Sequence, residues 1–138
     1  MRIFVCFLLL NLISCGKQDP SNQIDKLVGY WEIESVAMPD GEVKEFSIST
    51  IVDFIEVSEN KGVRTKVSPQ LDGSFINNGV AEKFDITIEN DSLQLYYSTP
   101  FDRWKETVLI ATDSILKVLN RDNKIYTYSK FKKFDLIK

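Results

Sequence analysis

Phe84-Asp85-Ile86-Thr87-Ile88-Glu89-Asn90-Asp91-Ser92-Leu93-Gln94-Leu95-Tyr96-Tyr97 is the stretch that decides the fold class. Phe84, Ile86 and Ile88 fall on one side of an extended chain, with Asp85, Thr87 and Glu89 on the other. Leu93, Leu95 and Tyr97 repeat the pattern after the break. A period of two is a β-strand with one apolar face. Asn90-Asp91-Ser92 supplies residues that tolerate the positive φ angles of a tight hairpin.

Working outward, the same alternation predicts strands at 30–38, 42–48, 50–58, 62–68, 82–89, 92–98, 103–111, 114–120 and 124–131. Turn formers separate them, among them Pro39-Asp40-Gly41, Thr112-Asp113-Ser114 and Arg121-Asp122-Asn123. Leu116 and Val118 lie opposite Lys117, and Trp31 and Ile33 lie opposite Glu32 and Glu34. Short strands in simple succession predict an all-β, small up-and-down antiparallel barrel, because closure pairs the edges that a sandwich leaves open. Residues 69–81 read as the longest irregular stretch, with Phe75 and Ile76 available to cap the barrel mouth or touch a partner. A further short strand there is the alternative.

The N-terminus reads differently. Met1-Arg2 precedes an unbroken apolar run, Ile3 to Leu10, and Asn11 interrupts it before Leu12-Ile13-Ser14-Cys15. The eleven mostly apolar residues from Ile3 to Ile13 make about 16 Å of helix, roughly half the hydrocarbon thickness of a bilayer, so they predict a secretion signal and not a span. Leu12-Ile13-Ser14-Cys15 resembles the bacterial lipobox. That resemblance implies cleavage before Cys15, diacylation of its sulfur and acylation of its new amino group, which together anchor stably where one chain would not. The expected division is a signal at 1–14, acylated Cys15 and a polar tether at 15–23, and one domain at 24–138. The tether would reach at most about 25–30 Å. Gly16, not aspartate, follows the cysteine, and only Asp19 answers the acidic cluster of surface-exported lipoproteins of the Bacteroidetes. The expected address is the periplasmic face of the outer membrane.

Composition narrows the chemistry. The chain has no histidine, and its two cysteines, Cys6 and Cys15, both lie within the first fifteen residues. The commonest general base and metal ligand are therefore absent, and a mature chain has no internal disulfide. A net charge of −3 argues against a nucleic-acid binder. Asp53 and Glu56, the nearest acid pair, are three apart on a strand and face opposite sides. Neither an enzyme nor a metal or other cofactor is expected, and the barrel interior is expected to be poor in charge.

Ile24-Asp25-Lys26-Leu27-Val28-Gly29-Tyr30-Trp31 reads as one helical turn followed by a strand opening with Gly-x-Trp. This resembles the first lipocalin motif, in which a short helix closes the barrel floor and a tryptophan plugs it. The resemblance implies that Gly29, Trp31 and a basic residue of the last strand form that floor, with Lys130 as the matching residue. Lysine in place of arginine, the short chain and the lack of a Thr-Asp-Tyr turn are more similar to the small lipocalin-like lipoproteins of the Bacteroidetes.

Within such a barrel, Tyr97, Trp104, Tyr126 and Tyr128 suit an amphipathic guest, with Arg64 as an anion partner and Phe75 at the mouth. Two functions fit. One is a lipocalin-like lipoprotein, anchored through Cys15, that binds a small apolar or amphipathic ligand in the cell envelope. The other is a filled barrel that acts on an envelope protein through its surface.

Overall fold

A computed structural model describes residues 18–47 and 50–132 of the chain. One short helix, α1 (Pro20–Ile24), precedes nine strands. These are β1 (Gly29–Ala37), β2 (Val43–Glu45), β3 (Val52–Ser58), β4 (Lys61–Pro69), β5 (Phe75–Glu89), β6 (Ser92–Ser98), β7 (Arg103–Ala111), β8 (Ile115–Leu119) and β9 (Ile125–Lys130). Every pairing is antiparallel between successive segments, and β9 returns to β1 to close the ring. The structure is an antiparallel β-barrel of up-and-down order.

Nine strands fill eight places. β2 pairs with the second half of β1 (Ser35 with Glu45), and β3 pairs with the first half along the same edge (Gly29 with Ile55). They are two parts of one interrupted wall strand. The hairpin predicted from Asn90-Asp91 forms with both residues at positive φ, 51° and 60°.

The floor begins earlier than the sequence reading places it. Asp19 caps α1 by accepting from the Ser21 amide, and Pro20 takes the first helical position, where its missing N–H costs nothing. The helical turn is Pro20–Ile24, all but its last residue within the expected tether, and residues 25–28 form the turn into β1. Gln18 is docked as well: it donates through Nε2 to the Ala111 carbonyl and accepts the Ala111 amide at 3.1 Å. Gln23, itself buried, donates to Gln18 Oε1 at 3.0 Å.

The stretch 69–81 is not a loop. β4 and β5 continue as an arm past the ring, with Pro69 opposite Phe75 and a turn at 70–74. A register shift lies between Thr65 and Val67 on β4, opposite the segment of β5 that holds Gly79 at φ 78°. Phe84, Ile86, Leu93 and Leu95 join Leu27, Trp31, Val108 and Val118 in the core. Ile88, expected in the same row, is half exposed near the floor end of β5.

Candidate functional site

Cross-strand partners share a face, so the register lists what the barrel encloses. At the floor, Trp31 is 1 % exposed and its Nε1–H donates to the Leu27 carbonyl at 2.8 Å. Lys130, its partner across β1–β9, holds Nζ 4.2 Å from the Trp31 ring centroid and donates to the Val28 carbonyl at 2.8 Å. Such a cation–π contact contributes about 0.5–2 kcal/mol. Gly29 makes the arrangement possible: its φ is 136°, and a Cβ there would collide with the Lys130 ammonium. Burial pulls the Lys130 pKa below its ordinary value, with Lys26 assisting and Asp113 opposing.

The rest of the interior is not poor in charge. Asp53 pairs with Lys66, Ile55 with Arg64, Arg64 with Glu82, and Leu95 with Glu106, so these polar side chains share the inner face. Arg64 donates to Glu82 Oε1 from Nη2 at 3.2 Å and reaches Glu106 Oε2 from Nη1 at 3.5 Å. Its guanidinium carbon lies 4.6 Å over the Tyr97 ring. Tyr97 stacks on Trp104 at 5.1 Å and meets Phe84 at 5.0 Å. Lys66 donates to Asp53. Asp53 is 5 % and Glu106 7 % exposed.

Burial at this depth is costly for charges unless partners offset it. Burial works against the Arg64 charge, but Tyr97, Glu106, Tyr128 and Asp53 outweigh it and its pKa rises. Burial pushes the Glu106 carboxyl above its ordinary value, against the pull of Arg64 and a hydrogen bond from the Trp104 indole. Tyr97 and Tyr128 are both raised by burial, so their hydroxyls stay protonated donors at neutral pH. Three carboxylates, Asp53, Glu82 and Glu106, face two cations, Arg64 and Lys66.

Together these side chains fill the barrel. The void among Trp31, Arg64, Tyr97, Glu106, Leu116 and Tyr128 is about 10 Å³, near the limit for one water. An open groove of about 680 Å³ lies elsewhere, bordered by Glu56, Val63, Lys83, Asp85, Tyr96 and Ser98.

The residues singled out from sequence fall into three groups. Arg64, Tyr97 and Trp104 meet in one cluster, and Tyr126 and Tyr128 line the same interior through their pairing with Val118 and Leu116, 6.4 Å apart. Gly29, Trp31 and Lys130 meet at the floor. Phe75 joins neither, and its expected place at the mouth is corrected: it stacks on Tyr30 at 4.1 Å and meets Phe131 edge-on at 6.0 Å. Tyr30 in turn stacks on Phe54 at 4.3 Å, and both lie one residue out of phase with inward Trp31 and Asp53. The arm therefore folds over the outside wall. Cys15 lies outside the described residues.

Glu82 and Glu106 were missed as partners of Arg64. Period two carries the signal for Glu106, which shares its side of β7 with Trp104 and Val108. Among the described residues, no group of three or more His, Cys, Asp or Glu is placed to hold a metal ion.

A plugged floor, a Gly-x-Trp first strand and a closed meander are what a family comparison meets in this chain, and residues 27–118 match the lipocalin-like domain. The chain belongs to the lipocalin-like domain family. No curated protein and no solved structure matches it. The lipocalin-like match runs from Leu27 through Trp31, Arg64 and Glu106 to Val118, and ends before Tyr126, Tyr128 and Lys130. Lipocalin-like proteins are typically binding proteins and not enzymes, and the barrel is a fold suited to a small ligand.

Proposed function

We propose that this chain is a lipid-anchored protein of the bacterial envelope whose lipocalin-like barrel takes a small amphipathic guest in its upper half. One observation carries this reading: Arg64, largely enclosed, lies between Glu82 and Glu106 with its guanidinium over the Tyr97 ring. A barrel filled only for stability is served as well by apolar side chains, because buried ion clusters are seldom a net gain. Convergent polar groups set among aromatic side chains are instead the ordinary make-up of a ligand site. The surplus carboxylate and the stacked Tyr97 and Trp104 rings suit a guest with an apolar body and a hydrogen-bond-donating or cationic head. A void of about 10 Å³ is too small for such a guest, so entry requires side chains of the upper half to swing aside.

The anchor rests on Leu12-Ile13-Ser14-Cys15 and the apolar run before it. The address proposed is the periplasmic face of the outer membrane. The filled interior favours a second reading, in which the barrel acts as an adaptor or inhibitor of an envelope protein. That reading draws on exposed apolar side chains: Val43, Phe46 and Ile51 from one wall, Leu71 from the arm, and Phe101 from the β6–β7 turn.

Native mass spectrometry of the membrane-extracted protein tests the choice. A co-purifying mass of small-molecule size, lost in Arg64→Met, supports the ligand reading. Bare protein from several detergents, with a partner recovered by cross-linking, supports the surface reading.

A further inference from the structure

Gln18 ties the chain to the floor. Its side-chain amide makes a two-way bond with the backbone of Ala111, at the floor end of β7, and it also accepts from buried Gln23. The chain is thus fastened to the closed end of the barrel three residues after Cys15. Three residues span at most about 10 Å. The expected flexible tether of eight residues is reduced to this short link.

We propose that the barrel stands floor-down on the bilayer, with its mouth facing the aqueous phase. The proposal rests on the acylation of Cys15 advanced above and adds the orientation. The floor carries the turns at 59–60, 90–91 and 112–114, together with the Lys26–Asp113 ion pair. The mouth carries the turns at 38–42, 99–102 and 120–124. Wall strands of about nine residues, tilted as barrel strands are, separate the two ends by roughly 20 Å. A link of about 10 Å cannot bring the mouth to the lipid unless Gln18 and α1 leave the floor.

The chemistry of the floor agrees with apposition and not insertion. Glu59, Asn60, Asn90, Asp91 and Asp113 are polar or acidic groups that would lose hydration in hydrocarbon, and the lysines beside these turns, Lys26 and Lys61, are paired with Asp113 and Asp85, which leaves the turns little attraction for anionic headgroups. The anchor, not the floor's own affinity, holds the protein. A guest or partner would then reach the barrel from the aqueous side.

Full-length acylated protein in vesicles containing nickel-chelating lipids tests this. A fluorophore is placed at Asp91→Cys on the floor or at Asp122→Cys at the mouth. The floor label should be quenched at least about threefold more strongly, because quenching falls off steeply over the roughly 20 Å between the ends. Gln18→Ala should shrink that contrast with acylation unchanged. Mass spectrometry of the extracted protein separates the two ways of failing. An unmodified Cys15 overturns the anchoring reading and the orientation with it. An acylated Cys15 with equal or reversed quenching overturns the orientation alone.

Discussion

The two halves of this barrel are filled by different chemistry. The floor half is closed by Leu27, Trp31, Leu93, Val108 and Ala111, all within the apolar core, and its polar contacts are hydrogen bonds, from Trp31 and Lys130 to the backbone and from Gln18 and Gln23 beneath, with one ion pair, Lys26–Asp113, on its rim. Above it stand Arg64, Glu82, Glu106 and the tyrosines, with the Asp53–Lys66 pair beside Trp31 at the boundary. Apolar packing depends on shape, so each large side chain there is hard to replace. An ion cluster depends on all its members being present together, so it resists single changes and tolerates joint ones.

The largest effect should come from the floor. Trp31→Ala is expected to cost about 3–5 kcal/mol, as large aromatic truncations do. Urea unfolding reads it directly, and a loss below about 1 kcal/mol would remove the floor's claim to hold the fold. Arg64→Met should cost about 3 kcal/mol, because Glu82 and Glu106 are left facing each other without their cation. The joint variant Arg64→Met, Glu82→Leu, Glu106→Leu should return to within about 1 kcal/mol of the parent or exceed it. If the triple variant is worse than Arg64→Met alone, the contrast between the halves fails.

Phe75→Ala should cost less, about 1–2 kcal/mol, since it removes stacking on the outside wall and leaves the ring intact. Hydrogen exchange should quicken in 67–80 and stay unchanged at the floor.

The smallest effect concerns pH. The Glu106 carboxyl is raised by burial, so the folded state binds its proton more tightly than the unfolded chain does. That contribution is complete below the ordinary glutamate value and is lost as pH rises through the folded value. Glu106→Gln has no such loss. Its urea midpoint should therefore gain on the parent's as pH rises above the glutamate reference of about 4.3. A constant difference would mean that Arg64 neutralises Glu106 fully.

Sequence disclosed the barrel through alternation, and it did so best where polar residues face water, as in Phe84–Tyr97. It failed where a polar row faces inward. On β4 the pattern Gly62, Arg64, Lys66 points into the barrel, while Val63, Thr65 and Val67 point outward. Hydrophobicity alone would turn that strand over. Val52 and Val67 are nonetheless buried, paired on the outer face of β3 and β4. The division of one wall place between β2 and β3 was equally hidden, because two short strands look alike whether they are neighbours or parts of one line. Arg64 was legible as a site residue, but its carboxylate partners come from β5 and β7, and only the register brings them together.

Closing β9 onto β1 removes the free backbone edge that lets sheets recruit other chains, and the arm partly restores it. From Ile76 to Glu82, β5 has β4 on one side and, among the described residues, no β6 partner on the other, since that pairing starts at Lys83. An edge with no strand partner among the described residues, and with Ile76 and Val80 exposed on it, is a template for strand addition, the first step of ordered aggregation. Asn77, Asn78 and Gly79 interrupt the template where the register shifts, and the Gly79 amide is taken up by the Asn77 side chain at 2.7 Å. The irregularity that obscured this segment in the sequence is therefore also its guard against self-assembly.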